Sequence, residues 1–415
     1  SFWGGENMKI IEGHYSKAKV FTDNIDPVTI EQIQTFLNQE FTKDCKVRIM
    51  PDCHAGKGAV IGTTMEVKGK VCPNLVGVDI GCGMLCVELK NEKVDFAKLD
   101  EAIKNYVPSG QDHRTAPHEY TKHIAFDSVI APIEADKVSL GLGTLGGGNH
   151  FIELNRSEDD RLFLVIHSGS RGLGTRVSNF HQKEAIKYHD TSEDELKELI
   201  ERLKNEGREK EIQKAIQSFV PSKPNIPNDL AYLEGEKMEH YLHDLKIAQE
   251  FAKWNRAAMA KEIMDAMGFV EIGRIDTIHN YIDLQHMILR KGAISARKDE
   301  LVIIPINMRD GSLLAKGKGN DDWNQSGPHG AGRILSRTKA KSILKLEDFQ
   351  ETMKDVYTTS VGIDTIDESP FAYKSMDEII KNTKESIEVL EIIKPLYNFK
   401  AAEFTPFYRR KKKRK

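Results

Sequence analysis

The chain has 415 residues, 39% of them hydrophobic and 30% charged, which is enough apolar material for a large globular core. Its formal charge is −3, yet seven basic residues run unbroken from Arg409 to Lys415 and leave the remainder at −10. An acidic body argues against general coating of nucleic acid, and the lack of a long apolar run argues against a membrane span.

Five cysteines, Cys45, Cys53, Cys72, Cys82 and Cys86, crowd into one end of the chain. They are odd in number and lack zinc-finger spacing, which fits a reducing cytoplasm better than a disulfide framework. Residues 1–7 precede Met8 and read as an expression remnant. The basic tail, 401–415, reads as a disordered solubilising end, with a phosphate-binding arm and a targeting address as alternatives.

In chain order, residues 8–20 read as a short strand and turn, and 28–40 as an amphipathic helix. Lys46–Met50 alternates like a strand and runs into Pro51-Asp52-Cys53-His54, read as a loop after that strand. Asp52 and His54 either face a cleft there or mark a turn with a capping Asp. Residues 60–64 continue as strand. Gly77-Val78-Asp79-Ile80-Gly81-Cys82-Gly83-Met84 then sets a carboxylate and a thiol three residues apart between glycines. Both are metal ligands once deprotonated, and glycines let a backbone approach a ligand closely.

Residues 84–89 read as a strand, 94–105 as a helix and 106–136 as irregular. A glycine-dense run ends in Gly148-Asn149-His150-Phe151-Ile152-Glu153. The buried strand 162–166 leads into His167-Ser168-Gly169-Ser170-Arg171-Gly172. Residues 191–217 read as a solvated helix or inserted hairpin, 221–227 as a rigid linker and 231–266 as a long helix. Asp276, His279, Asn280, Asp283 and His286 follow, then the strand 301–306. Ser326-Gly327-Pro328-His329-Gly330-Ala331-Gly332-Arg333 reads as opening a helix from about 334 to 344, a glycine loop suited to anions. Two more helices are expected near 348–356 and 376–394.

Asp79, Cys82, His150, His167 and His279 together exceed what one tetrahedral ion needs. They suit two adjacent divalent ions with a bridging thiolate or carboxylate, an arrangement that serves phosphoryl transfer. Ligand softness favours zinc over manganese on affinity, so the donors alone do not name the metal. His329 sits where glycine amides and Arg333 could hold a phosphate, and a neutral imidazole there is a competent nucleophile.

Six segments carry a resemblance: Gly-Val-Asp-Ile-Gly-Cys-Gly-Met, Gly-Gly-Gly-Asn-His-Phe-Ile-Glu, His-Ser-Gly-Ser-Arg-Gly, His-Asn, Arg-Lys-Gly-Ala and His-Gly-Ala-Gly-Arg. In this order, from about Asp52 to Lys400, they closely resemble the RtcB family of RNA ligases. The resemblance implies one catalytic domain over 8–400 that joins an RNA 3′-phosphate or 2′,3′-cyclic phosphate to a 5′-hydroxyl, using GTP and two Mn²⁺ ions. It implies Asp79, Cys82, His150, His167 and His279 as metal ligands, and His329 as the nucleophile that takes GMP. It implies guanylate contacts from Asn149, His150, Phe151, Ile152, Glu153, His279, Asn280, Pro305, Ile306, Asn307, Met308, Ser312, His329, Gly330, Ala331, Gly332 and Lys400. The chain departs from the family at Pro305-Ile306-Asn307-Met308-Arg309-Asp310, where many members read Pro-Gly-Ser-Met-Gly-Thr.

A metal-dependent phosphohydrolase and a non-catalytic RNA-binding protein are the alternatives from other classes. The fold expected is α+β, with mixed, mainly antiparallel sheets around the site and helices outside. Oligomeric state, protein partners and the physiological RNA are left open by the sequence.

Overall fold

The computed structural model describes residues 8–223 and 225–402; residues 1–7 and 403–415, and with them the remnant and basic-tail readings, lie outside it. Two sheets dominate. A six-stranded sheet runs in the order Lys9–Glu12, Lys17–Val20, Val47–His54, Ile61–Glu66, Ile288–Lys291, Asn280–Asp283. Its pairings are antiparallel except between Lys17–Val20 and Val47–His54. A seven-stranded antiparallel sheet runs Glu271–Ile278, Gly83–Leu89, Leu162–Ser168, Phe151–Arg156, Ile387–Phe399, Gly311–Gly317, Leu301–Asn307. The expected α+β architecture with mainly antiparallel sheets is what the chain adopts.

Register places the site. Gly83 pairs with Ser168 and with Ile278, and His167 pairs with both Met84 and Phe151. Cys82, His150, His167 and His279 therefore sit at or beside the ends of four neighbouring strands. His279 is the single residue between Ile278 of one sheet and Asn280 of the other. Its amide donates to the Cys82 carbonyl at 2.9 Å.

The helix Gly235–Met267 packs behind these ends, with Leu245, Ala248, Phe251, Ala252 and Met259 buried at helical spacing. Three polar residues on it are also fully buried, Asp244, Asn255 and Arg256, and the last two reach the loops of the site. Asn255 accepts from the amides of Gly143 and Thr144 and donates to the carbonyls of Thr144 and Gly169. Arg256 donates to the carbonyls of Gly81 at 2.8 Å and Ser168 at 3.0 Å, and pairs with Asp276. One helix thus pins the loops that carry the candidate ligands.

Several elements differ from their sequence reading. The helix Arg171–Tyr188 was not legible. Its buried face is mostly small or polar: Gly174, Ser178, His181, Gln182 and Ala185 accompany Leu173 and Val177. Polar residues can lie there because His181 meets Asp244 at 2.7 Å and Gln182 bonds three backbone groups. The helix expected over 376–394 is a short helix, Met376–Asn382, followed by the strand Ile387–Phe399. That strand is rich in β-branched residues and is paired on both sides, with its proline at a bulge. Asp52 and His54 belong to the strand Val47–His54, not to a loop after it.

The helix expected from 334 begins only at Arg337, capped by Ser336, and spans seven residues. The amides of Ile334 and Leu335 are held by the Ala372 carbonyl instead, so the glycine loop does not feed a helix N-terminus. The two helices Ser192–Asn205 and Ile212–Ser218 form the expected surface hairpin, in which only Leu203 is buried.

Arg256→Ala removes the donor shared by two site loops and leaves Asp276 unpaired. Asp276 is solvent-exposed, so the cost lies in the buried Gly81 and Ser168 carbonyls, each about 1–3 kcal/mol when it loses its donor. Urea unfolding should show a loss of that order, and a loss below about 1 kcal/mol contradicts the pinning role.

Candidate active site

The donor atoms of five distant residues meet at one point. Cys82 Sγ lies 3.5 Å from His150 Nε2 and 3.3 Å from His167 Nε2. His167 Nε2 lies 3.3 Å from His279 Nε2, and Asp79 Oδ2 lies 2.9 Å from His150 Nε2. Two sets emerge, Cys82 with His167 and His279, and Asp79 with Cys82 and His150; the thiol belongs to both.

The chain is shaped to allow this approach. Gly81 has φ +74° and packs against Ala252, where a Cβ would come within 2.8 Å of its methyl group. Gly169 leaves room for the Asp79 carboxylate, which lies where its Cβ would be.

Second partners fix the rings. His150 Nδ1 lies 2.9 Å from the Leu145 carbonyl, and His167 Nδ1 lies 3.1 Å from the Asn149 carbonyl. A carbonyl can only accept, so both protons sit on Nδ1 and both Nε2 lone pairs point inward. Lone pairs facing lone pairs at van der Waals distance repel unless a cation lies between them. The donor chemistry therefore fits two cations sharing the Cys82 sulfur.

Protonation states agree with that role. Burial, then the neighbouring His150, Lys400, His329 and Arg256, hold His167 well below its ordinary pKa. Burial, then His167, His329 and Arg256, do the same for His279 against Asp79. Burial and the Asp79 carboxylate push the Cys82 thiol well up. Burial also pushes Asp79 up, but His150, Arg171 and Cys82 overcome it and hold the carboxyl below its usual range. Neutral imidazoles and an ionised carboxylate stand ready as ligands, and a metal must displace the thiol proton on binding.

His329 adjoins this cluster. Its ring centroid lies 5.0 Å from that of His279. Its Nδ1 lies 2.7 Å from Oδ2 of the fully buried Asp52. The carboxylate holds the proton on Nδ1 and leaves Nε2, which has no protein partner among the described residues, with its lone pair outward. Asp52 was missing from the sequence-derived site list. Its place in Pro51-Asp52-Cys53-His54 pointed toward a cleft, but nothing in the sequence named its partner 277 positions away.

The residues expected around a nucleotide fall into two groups. Lys400 Nζ is buried, 3.4 Å from the Asn149 carbonyl, 3.1 Å from Glu368 and 5.3 Å from the Phe151 ring centroid. Glu153 accepts from Asn398 at 2.7 Å, and burial, opposed by Asn398, Lys400 and Asn155, lifts its pKa to about 7. A cavity of about 80 Å³ opens here, lined in part by Gly148, Thr365, Glu368 and Ala401. Gly330 packs against the Pro305 carbonyl, which brings the 305–308 loop to the His329 loop. Ser312 is buried opposite Pro305, and its hydroxyl has no partner among the described residues. Asn280 lies on the other side of His329, where its Oδ1 accepts from the Gly292 amide.

The second group is packed away. Ile152, Ile306, Met308 and Ala331 have their side chains in apolar clusters, so only their backbones can reach a ligand. Asn307 is turned onto Asp310 and the Arg309 amide. Arg333, expected to help hold a phosphate, is instead occupied by Glu368, Tyr373 and the carbonyls of Leu335 and Asp367. Sequence reading also missed Glu368, a buried carboxylate that gathers Arg333, Arg337, Tyr373 and Lys400.

Paired cation cradles beside an oriented, open histidine are the equipment of a phosphoryl-transfer enzyme. Comparison with known proteins specifies the class further. The family model described as tRNA-splicing ligase RtcB matches residues 37–135 and 132–401. The RNA-splicing ligase RtcB of Escherichia coli K12 is 31% identical over 427 residues, covering 92% of this chain and 97% of that protein. The tRNA-splicing ligases RtcB of Methanococcus maripaludis and Aeropyrum pernix are 26% and 25% identical, covering 83% and 80% of this chain and 85% and 82% of those proteins. The chain belongs to the RtcB family.

Because Cys82 serves both sets, its loss should cost more metal than the loss of any one histidine. If the two sets each hold an ion, Cys82→Ala is expected to lower bound divalent metal toward none, and His279→Ala only toward half. Elemental analysis after dialysis at fixed free Mn²⁺ measures this. Equal losses in the two variants contradict a shared sulfur.

Proposed function

We propose that this protein is an RNA ligase that joins an RNA 3′-phosphate, or a 2′,3′-cyclic phosphate, to a 5′-hydroxyl, using GTP and two manganese ions. The reading rests above all on His329, held by Asp52 and standing 5.0 Å ring to ring from a histidine of the candidate metal cluster. Family membership supports the same class of reaction, and the comparisons carry nothing for a phosphohydrolase. Asp79, Cys82, His150, His167 and His279 would hold the ions. Bound manganese would stabilise the charge that builds on phosphate oxygens and on departing pyrophosphate.

The chain's own groups divide the work. His329 Nε2 attacks the α-phosphorus of GTP and displaces pyrophosphate. Asp52 keeps the Nδ1 proton in place and stabilises the positive charge that develops on the ring, as carboxylates do for catalytic histidines. GMP then passes to the RNA 3′-phosphate. The 5′-hydroxyl attacks this activated phosphate and GMP leaves. A cyclic phosphate end is first opened to the 3′-phosphate by water.

Lys400, Glu153, Ser312 and the Asn149 backbone form the pocket proposed for the guanylate. Glu153 accepts or donates hydrogen bonds according to its proton, and its raised pKa lets it do either near neutrality. The five cysteines are buried and free, which fits a reducing compartment, and we take it to be the cytoplasm. No helix among the described residues is long and apolar enough to cross a membrane.

Incubation with α-labelled GTP and Mn²⁺ tests the reading. The protein should take a covalent, acid-labile label that His329→Ala abolishes. Asp52→Asn should retain the fold yet label about 10²–10⁴-fold more slowly, because the ring loses its fixed tautomer. Unchanged labelling in His329→Ala overturns the proposal.

A further inference from the structure

His54 stands beside His329, and the chemistry above gives it no task. It ends the strand Val47–His54, two residues after Asp52. Its Nδ1 lies 3.1 Å from the Asp52 carbonyl oxygen, which can only accept. The neutral ring therefore carries its proton on Nδ1 and its lone pair on Nε2. That nitrogen has no partner among the described residues, and the side chain is only half-buried.

Its neighbourhood is shared with the nucleophile. His54 pairs in register with Ile61. A Cβ placed on Gly292 would meet both the Ile61 side chain and, at 3.4 Å, Cε1 of His329. The two histidines thus lie along one wall. The charged groups facing His54 are Asp52, His329 and Arg333. Burial first, then His329 and Arg333, hold its pKa below the ordinary value, against the Asp52 backbone and carboxylate. The chain behind it is fixed, because Gln32 clasps the Gly56 amide and carbonyl and Lys291 reaches the carbonyls of Lys57 and Asn74. An oriented imidazole whose Nε2 has no partner among the described residues, beside the nucleophile, is equipped to accept a proton from an arriving hydroxyl.

We propose that His54 is the general base of the joining step and takes the proton of the attacking 5′-hydroxyl on Nε2. The inference rests on the ligase reading. As the 5′ oxygen bonds to phosphorus, its O–H bond gives the proton to His54. The phosphoanhydride P–O bond breaks, and its electron pair leaves with GMP. The imidazolium then returns the proton to water, which restores the base.

RNA carrying a preformed GMP-activated 3′ end isolates this step. His54→Gln should take label from GTP and pass GMP to RNA as the unaltered protein does, yet join activated ends about 10²–10⁴-fold more slowly, so that activated RNA accumulates. In the unaltered protein the joining rate should rise with pH and level off once His54 is neutral; the variant should lack that inflection. His54→Ala should regain part of its joining rate on addition of imidazole. Joining of activated ends at the normal rate by either variant overturns the proposal, as does an inflection that persists. A variant that loses labelling but joins activated ends normally also overturns it, because His54 would then act through Asp52 and His329. Absence of label in the unaltered protein overturns the ligase reading and this inference with it.

Discussion

Everything in this molecule turns on one sulfur atom. Cys82 Sγ lies within 3.5 Å of imidazole nitrogens of His150 and His167, 68 and 85 positions further along the chain, and a third imidazole stands behind one of them. Without a cation, such a gathering of lone pairs in a buried pocket is repulsive, and burial forbids relief by water. Protein architecture has to supply the force that holds it. Here it comes from strand register in the seven-stranded sheet and from two buried polar residues, Asn255 and Arg256, that tie site loops to the longest helix.

The same economy appears around His329. One carboxylate, Asp52, orients the nucleophile, and the Asp52 backbone orients His54. Glycines at 292 and 332 let these segments close in; a Cβ on Gly332 would strike the Asp52 backbone. The positively charged groups near the site are balanced locally. Glu368 collects Arg333, Arg337 and Lys400, and burial alone would raise its pKa; those three cations hold it at about 2 instead. The region around Lys400 is therefore a prearranged lattice of charge and not a bare cationic pocket.

Four of the five candidate ligands, Asp79, Cys82, His150 and His167, were legible because they sit in glycine-punctuated motifs at strand boundaries, a local feature that survives without knowledge of the fold; His279 has no such flank and stood out only among neighbouring Asp and His residues. Val47–His54, Ile61–Glu66, Gly83–Leu89, Leu162–Ser168, Leu301–Asn307 and the long helix Gly235–Met267 were legible because their apolar patterns are strong, whereas strands such as Glu271–Ile278 and Gly311–Gly317 were not. The helix Arg171–Tyr188 was not, because its buried face is built from His181, Gln182 and small residues whose partners are distant in sequence. Ile387–Phe399 was mistaken for helix because Glu and Lys punctuate its apolar run, and only pairing on both edges makes it a central strand. The partner of Asp52, and Asn255, Arg256 and Glu368 altogether, escaped notice for one shared reason: a buried polar residue is defined by the group that satisfies it, and that group is named only by the tertiary fold.

The most direct test of the shared-sulfur account is anomalous diffraction from crystals soaked in Mn²⁺. The account predicts two peaks, both within bonding distance of Cys82 Sγ, one also touching His167 and His279 and the other Asp79 and His150. A single peak, or two peaks of which only one reaches the sulfur, would contradict it.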